Sequence, residues 1–272
     1  MRWSARLSPD EVEHYEEQGF LVPSYRLPWP QVERLRAALD QLIADNPGIR
    51  PEKLVSPLLE YSAEGIRGNR AFMDIANDPA ILDLVEEAIG PDIILWGCQV
   101  FCKPQSHGMK VPWHQDGQYW PIRPLATCTV WIALDPCTTE NGCLRVIPGS
   151  QRRHELVRHQ RLQRTDLVLD QEVDDPCFDA SHAVDVELQP GQMVLFDVYM
   201  IHGSNPNRSD RRRAGLALRY MPATSHFNRE LIKAGESTRT FVTNFAERPI
   251  WLVRGIDRCG RNDFTVGHNR PH

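Results

Sequence analysis

"PGQMVLFDVYMIHGSNPNRSDRRRAGLALRYMP", residues 190–222, holds two apolar runs, "MVLFDVYMI" and "AGLALRYM", separated by a polar, turn-rich segment. Short runs rich in Val, Leu, Phe and Tyr, bounded by Pro, Gly and Asn, read as β-strands. His202 stands where the first run gives way to Gly203 and Ser204. Arg211, Arg212 and Arg213 stand where the second begins. The order predicts a strand that delivers His202 at its end and then pairs with the next strand as a hairpin. Arg213 would thereby turn into a pocket beside His202.

The same texture extends back to about residue 92, through "IILWGCQVFCK", "TCTVWIAL" and "CLRVIPGS". Together these runs predict an antiparallel sheet pair. The N-terminal third is helical in pattern. Ser8, Pro9 and Glu11 form a capping signature for a helix that should end near Gly19. A second helix is expected at roughly 30–45, with Val32, Leu35, Leu39, Leu42 and Ile43 on one face, and a third near 79–89. No linker-like stretch divides the two parts. The expectation is one domain with a helical front end over about 8–90, a strand-rich core over about 91–222 and a C-terminal extension over about 223–272, the helices covering one sheet. Residues 151–180, charged and aperiodic, are expected to form a long insertion loop near the open end of the barrel.

Composition narrows the partners. Of 272 residues 41% are hydrophobic and 25% charged, with a formal charge of −5, so nothing calls for nucleic acid or an anionic membrane. No apolar run approaches the ~20 residues that span a bilayer, and the first twenty residues lack a signal-type core; the expected location is the cytoplasm. An oligomer is possible but nothing indicates one. Seven cysteines, with Cys98 and Cys102 spaced C-x3-C and no second pair, read as buried reduced thiols.

A second short stretch carries the chemistry: "WHQDGQYWP", residues 113–121. In extended chain His114 and Asp116 project to one face and Gln115 to the other. With His202 they make two imidazoles and one carboxylate, the set that leaves three positions open on non-haem Fe(II). Catalytic zinc uses similar sets, so these three residues leave both metals open. Arg213 favours iron, because a guanidinium fork behind an open metal face suits a dicarboxylic co-substrate that chelates the ion with its other end. A zinc hydrolase has no need of such a fork.

Together with "SPDEVEHYEEQGFLV", "GPDIILWGCQVFCKP", "VPWHQDGQYWPIRP" and "TVWIALDPCTTENGCLRVIPGS", the opening stretch resembles the phytanoyl-CoA dioxygenase family of Fe(II)/2-oxoglutarate-dependent oxygenases over about residues 8–225. The resemblance implies a mainly β fold with flanking α-helices, a double-stranded β-helix or jelly-roll of cupin type. It implies His114, Asp116 and His202 as iron ligands, and Arg213 with Ser204 on the distal carboxylate of 2-oxoglutarate. Gln99 and Trp131 fall where the family contacts its co-substrate, and alternation adds Thr129 to the face of Trp131. Tyr119 and Trp120 would wall the oxygen and substrate side. The implied reaction uses Fe(II), 2-oxoglutarate and O2, releases succinate and CO2, and hydroxylates an unactivated C–H bond. Asp116 is present where related halogenases have lost the carboxylate, which speaks against halogenation.

The substrate expected is a small polar metabolite or natural-product intermediate. Gln118, Trp120, Arg123 and Arg219 are the candidate substrate contacts, with Lys103 a further cation. The basic run "RRHELVRHQRLQR", 152–164, can serve CoA phosphates but reads more readily as a solvated surface. Oxidative cyclisation or desaturation starts from the same hydrogen abstraction and stays open, as does a non-enzymatic jelly-roll binding protein. Intact His114, Asp116, His202 and Arg213 favour the enzyme. The segment "RPIWLVRGIDRCGRNDFTVGH", 248–268, is left with two roles, covering the pocket or making a dimer contact.

Overall fold

Ser8 starts the chain's first helix by the mechanism its neighbours dictate. Its hydroxyl accepts from the Glu11 amide at 3.3 Å, and the Glu11 carboxylate accepts from the Ser8 amide at 2.8 Å. The computed structural model describes residues 5–233 and 244–268. The front end runs α1 (Pro9–Gln18), β1 (Phe20–Leu21), α2 (Trp29–Asp45), β2 (Leu54–Val55), α3 (Arg70–Ala76) and α4 (Pro79–Ile89). The strands that follow are β3 (Ile93–Lys103), β4 (Val111–His114), β5 (Ile122–Arg123), β6 (Cys128–Ala133), β7 (Leu144–Val146), β8 (His159–Arg161) and β9 (Gln171–Val173). The chain then continues with β10 (Val184–Val186), β11 (Met193–Asp197), β12 (His202–Ser204), β13 (Arg213–Pro222), β14 (His226–Phe227) and β15 (Trp251–Arg254).

These strands make two antiparallel layers. A seven-stranded sheet runs β1-β11-β6-β13-β3-β15 with β2 also on β3, and a four-stranded sheet runs β10-β7-β12-β4. This is the expected jelly-roll, mainly β with flanking helices. The larger sheet is buried on both faces, and strand alternation decides what each face holds. Along β13, Ala214, Leu216, Leu218 and Tyr220 pack with Val32, Leu35, Leu39 and Leu42 of α2 in one core. Arg213, Ala217 and Arg219 face the other way, into the cavity between the sheets. Because Lys103 pairs with Arg213 while Gly97 pairs with Arg219 and Leu95 with Tyr220, Trp96 is an extra residue, and the bulge aims its ring into the cavity.

Four expectations need correction. The strands flanking 205–212 do not pair as a hairpin: β12 lies between β7 and β4, whereas β13 lies between β3 and β6 of the other sheet. Both strands have partners elsewhere, and the connection crosses the sandwich, held by Asn207, whose side chain donates to the Pro104 and Arg211 carbonyls at 2.9 and 2.7 Å. His202 does not end a strand but opens β12, because β11 stops at Asp197 and a turn bonded from the Tyr199 amide to Asp197 Oδ1 (2.7 Å) redirects the chain. Asp116 is not in extended chain with His114; β4 ends at His114 and Asp116 opens a 3₁₀ turn, Asp116–Tyr119. The insertion 151–180 contains the hairpin β8–β9. α3, at two turns, was too short to show a period and was not expected. Among the described residues no helix is long and apolar enough to cross a membrane.

Candidate active site

His114 and His202 are register partners across β4 and β12, which points both rings into the space between the sheets. Each ring is fixed from behind: Nδ1 of His114 lies 2.9 Å from the Pro112 carbonyl and Nδ1 of His202 lies 3.0 Å from that of Met200. A carbonyl only accepts, so Nδ1 carries the proton in both rings and Nε2 keeps its lone pair for a metal. Asp116 Oδ1 comes within 3.4 Å of His114 Nε2. One ligand atom from each of the three buried side chains lies within 4.8 Å of the others. Burial raises the pKa of Asp116, but a hydrogen bond that His114 Nε2 donates only as an imidazolium, with the positive charges of His202 and Arg219, outweighs burial and holds it at about 2. Burial, and then the adjacent His114, push His202 down to about 4. At neutral pH the set is one carboxylate and an unprotonated His202, which is the donor chemistry a divalent iron ion takes.

The three residues line one cavity whose wall is mostly apolar and aromatic with a few convergent polar groups, the lining of a small-ligand site. Arg213 lies in its wall, 3% exposed. Nε donates to the Gly142 carbonyl at 3.0 Å, one terminal nitrogen donates to Phe101 O at 3.3 Å and the other approaches Ser204 Oγ at 3.5 Å. Gly142 holds that carbonyl in place at φ 78°, where any Cβ would stand 2.3 Å from Asn205 O. The guanidinium lies 5.3 Å from the Trp131 ring centroid. Among the described residues no carboxylate pairs with Arg213, and burial works against its charged form. A buried cation with only neutral partners calls for an anion from outside, and a co-substrate carboxylate supplies one. Gln99 Nε2, buried and without a hydrogen-bond partner, is a second vacant donor in the same cavity.

The structure therefore gathers most of the residues singled out above. Gln99, Thr129, Trp131, Ser204 and Arg213 line the cavity with the triad, as do Tyr119, Trp120 and Arg219. Gln118 and Arg123 are not in its lining. Arg123 is exposed, its guanidinium donating to the Trp120 and Ile122 carbonyls at 3.2 and 2.7 Å, because β5 turns it outward. Lys103 is buried against the Asn205 carbonyl outside the lining, and desolvation pushes its pKa well below the usual lysine range. Arg211 pairs with Glu140 and Arg212 with Asp40 and Asp135, which leaves Arg213 alone of the three turned inward. In the basic run, Arg158 and Arg161 pair with Asp174 and Asp170 of the same insertion.

Four further residues contribute in ways the sequence alone does not give. Gln115, fully buried, donates to the Glu155 and Tyr199 carbonyls at 3.0 and 2.8 Å and accepts from the Val157 amide at 2.8 Å, fastening the insertion to the metal motif. Leu169 of that insertion lines the cavity. Arg248 and Phe245 reach it from the extension, which thus supplies part of the cavity wall; β15 adds the extension to the edge of the large sheet beside β3. Its residues 234–243 and 269–272 lie outside the described ones. Only the position of Gln115 between two ligands could have signalled its role. Arg248 follows no period.

A family model described as "Phytanoyl-CoA dioxygenase (PhyH)" matches residues 15–215, a span that includes the triad and Arg213. A probable phytanoyl-CoA dioxygenase of Caenorhabditis elegans is 28% identical over 94% of both chains. The L-proline trans-4-hydroxylase of Streptomyces griseoviridis is 26% identical over 79% of this chain and 87% of its own. Among solved structures, the non-heme monooxygenase ThoJ shares the fold with a TM-score of 0.71 at 24% identity, over 95% of this chain and 89% of its own. The family match, covering the triad and the uncompensated arginine that line one cavity, places this chain in the phytanoyl-CoA dioxygenase family of Fe(II)/2-oxoglutarate-dependent oxygenases.

Proposed function

We propose that the chain hydroxylates an unactivated C–H bond of a small polar metabolite or natural-product intermediate, consuming 2-oxoglutarate and O2 and releasing succinate and CO2. The observation that carries this reading is that the His114, Asp116 and His202 donors line the same cavity as Arg213, which among the described residues has no carboxylate partner. His114, Asp116 and His202 hold Fe(II); Arg213 and Ser204 hold the distal carboxylate of 2-oxoglutarate, with Gln99, Thr129 and Trp131 beside it. When bound, iron and 2-oxoglutarate supply the oxygen activation and hydrogen abstraction that no side chain can perform. The chain's own part is placement and exclusion of water: Trp120, Tyr119 and Leu169 line the cavity with the triad, and the two fixed imidazoles need no reorganisation on loading. Hydroxylation of a small ring acid by the L-proline 4-hydroxylase relative supports the reaction type. All seven cysteines are free thiols, which suits a reducing compartment, and we place the protein in the cytoplasm.

The test is anaerobic addition of Fe(II) and 2-oxoglutarate to the purified chain and to Arg213→Ala. A weak visible charge-transfer band in the wild type, needing more 2-oxoglutarate in the variant, is expected, followed by succinate release when air and substrate are admitted. The absence of any band at saturating iron and 2-oxoglutarate overturns the reading.

A further inference from the structure

Six residues beyond Arg213 on the same face of β13, roughly 20 Å along the strand at ~3.3 Å per residue, Arg219 points into the cavity, and Arg248 meets it there from the C-terminal extension. The two side chains converge over Gly97: a Cβ at that position would lie 3.6 Å from both Arg219 Cδ and Arg248 Nη1. Both arginines are more than nine-tenths buried, at 8% and 6% exposure. Their partners are unequal. Arg248 donates to Glu64 Oε1 at 3.1 Å and Ser56 Oγ at 3.0 Å. Arg219 has one long hydrogen bond, to Gln99 Oε1 at 3.4 Å, and among the described residues no carboxylate within ion-pair distance. Among the described residues, Nε of each arginine has no partner. Aromatic faces flank them, Trp120 5.3 Å from Arg219 and Phe245 4.8 Å from Arg248.

The charges can be followed through loading. The distal carboxylate of 2-oxoglutarate offsets Arg213, its other carboxylate and Asp116 together offset Fe(II), and Glu64 offsets Arg248. The charge of Arg219 is left over, in a desolvated wall where an unpaired cation is costly. One more negative charge completes the site. The guanidinium fork accepts carboxylate and phosphate alike, but a phosphate dianion would leave the balance negative, so the charge count selects a monoanionic carboxylate.

We propose that Arg219, seconded by Arg248, seats a substrate carboxylate, so that the substrate is a small monoanionic acid whose apolar body lies among Trp96, Trp120 and Phe245. This rests on the Fe(II)/2-oxoglutarate reading and narrows its substrate class. Arg219 is then a specificity residue, and the C-terminal extension is part of substrate recognition through Arg248.

The test uses the wild-type chain held anaerobically with Fe(II) and saturating 2-oxoglutarate, which keeps Arg213 engaged. Phenylacetate and 3-phenylpropanoate are titrated against their primary amides, read by the fluorescence of the tryptophans that line this end. The acids are expected to bind at least about tenfold more tightly than the amides, a preference lost in Arg219→Gln and partly kept in Arg219→Lys. Equal affinity of acid and amide, binding by neither acid, or a preference that survives Arg219→Gln overturns the proposal. The wild-type comparison decides the matter even if a variant fails to fold. The charge-transfer band, recorded in each sample, separates the two readings: its absence in wild type sinks the iron and 2-oxoglutarate assignment, whereas a band with no acid preference sinks the carboxylate seat alone.

Discussion

The rings of His114 and His202, paired in register across two strands, stand 4.2 Å apart between centroids. For His202, burial and then this neighbour lower the pKa to about 4. The unfolded chain, with an ordinary histidine near 6.5, therefore binds the proton first as pH falls. Stability contributed by neutral His202 is complete above about pH 6.5 and is lost as pH drops toward 4, by on the order of 3 kcal/mol at most. Denaturant unfolding of the metal-free chain at several pH values between 7 and 4, beside His202→Asn, measures it. The wild type should lose stability more steeply over that window, and parallel curves would show that the histidine is not the source.

Arg213→Lys keeps the charge and removes the fork. A lysine cannot reproduce donation to Gly142 O and Phe101 O together with an approach to Ser204 Oγ. Affinity for 2-oxoglutarate should fall by about 10- to 100-fold, the equivalent of one or two charged hydrogen bonds, while iron affinity is unchanged. Separate anaerobic titrations of metal and co-substrate measure the two. Equal weakening of both would mean that Arg213 supports the metal site rather than the anion.

Residue-level signals with short range were legible in the sequence. The cap of α1, the face of α2 and the alternation that places Thr129 and Trp131 together all rest on a few neighbouring positions. What failed was long-range pairing. The order of strands around His202 suggested a hairpin, yet β12 and β13 belong to different sheets, because nothing local records which strand will be a neighbour. The inward turn of Arg213 survived that error since strand alternation fixes it whichever sheet holds the strand. Arg123 and Gln118 lie near the metal motif in sequence, but the 3₁₀ turn that Asp116 opens breaks the link between such nearness and direction. Arg248 was invisible for the opposite reason: it reaches the cavity from the far end of the chain, opposite Glu64.

Gln115 sits between two ligands and carries three hydrogen bonds to main chain at 155, 157 and 199. Gln115→Ala strands two carbonyls and an amide at about 1–3 kcal/mol for each that stays buried. The insertion should loosen before the barrel does. Hydrogen exchange over residues 155–173 is expected to rise well above that of β13 in the variant, and an exchange pattern identical to wild type would rule out the fastening role.

Gly215 touches no candidate ligand, yet its lack of a side chain shapes the co-substrate end. A Cβ there would fall 1.9 Å from the Trp131 ring, inside any possible contact. The ring is held between β13 and the guanidinium of Arg213, 5.3 Å from its centroid, so a methyl group at 215 must displace Trp131 and with it the packing that orients the arginine. Gly215→Ala should destabilise the chain by about 1–3 kcal/mol through overpacking and weaken 2-oxoglutarate binding by about tenfold. Shortening the ring's reach should remove the clash, so in a Trp131→Leu background the same substitution should cost markedly less. Thermal unfolding and 2-oxoglutarate titration of the two single variants and the double variant decide it. Strictly additive effects would place the cost in the β13 backbone, and a large negative coupling would place it in the contact between Gly215 and Trp131.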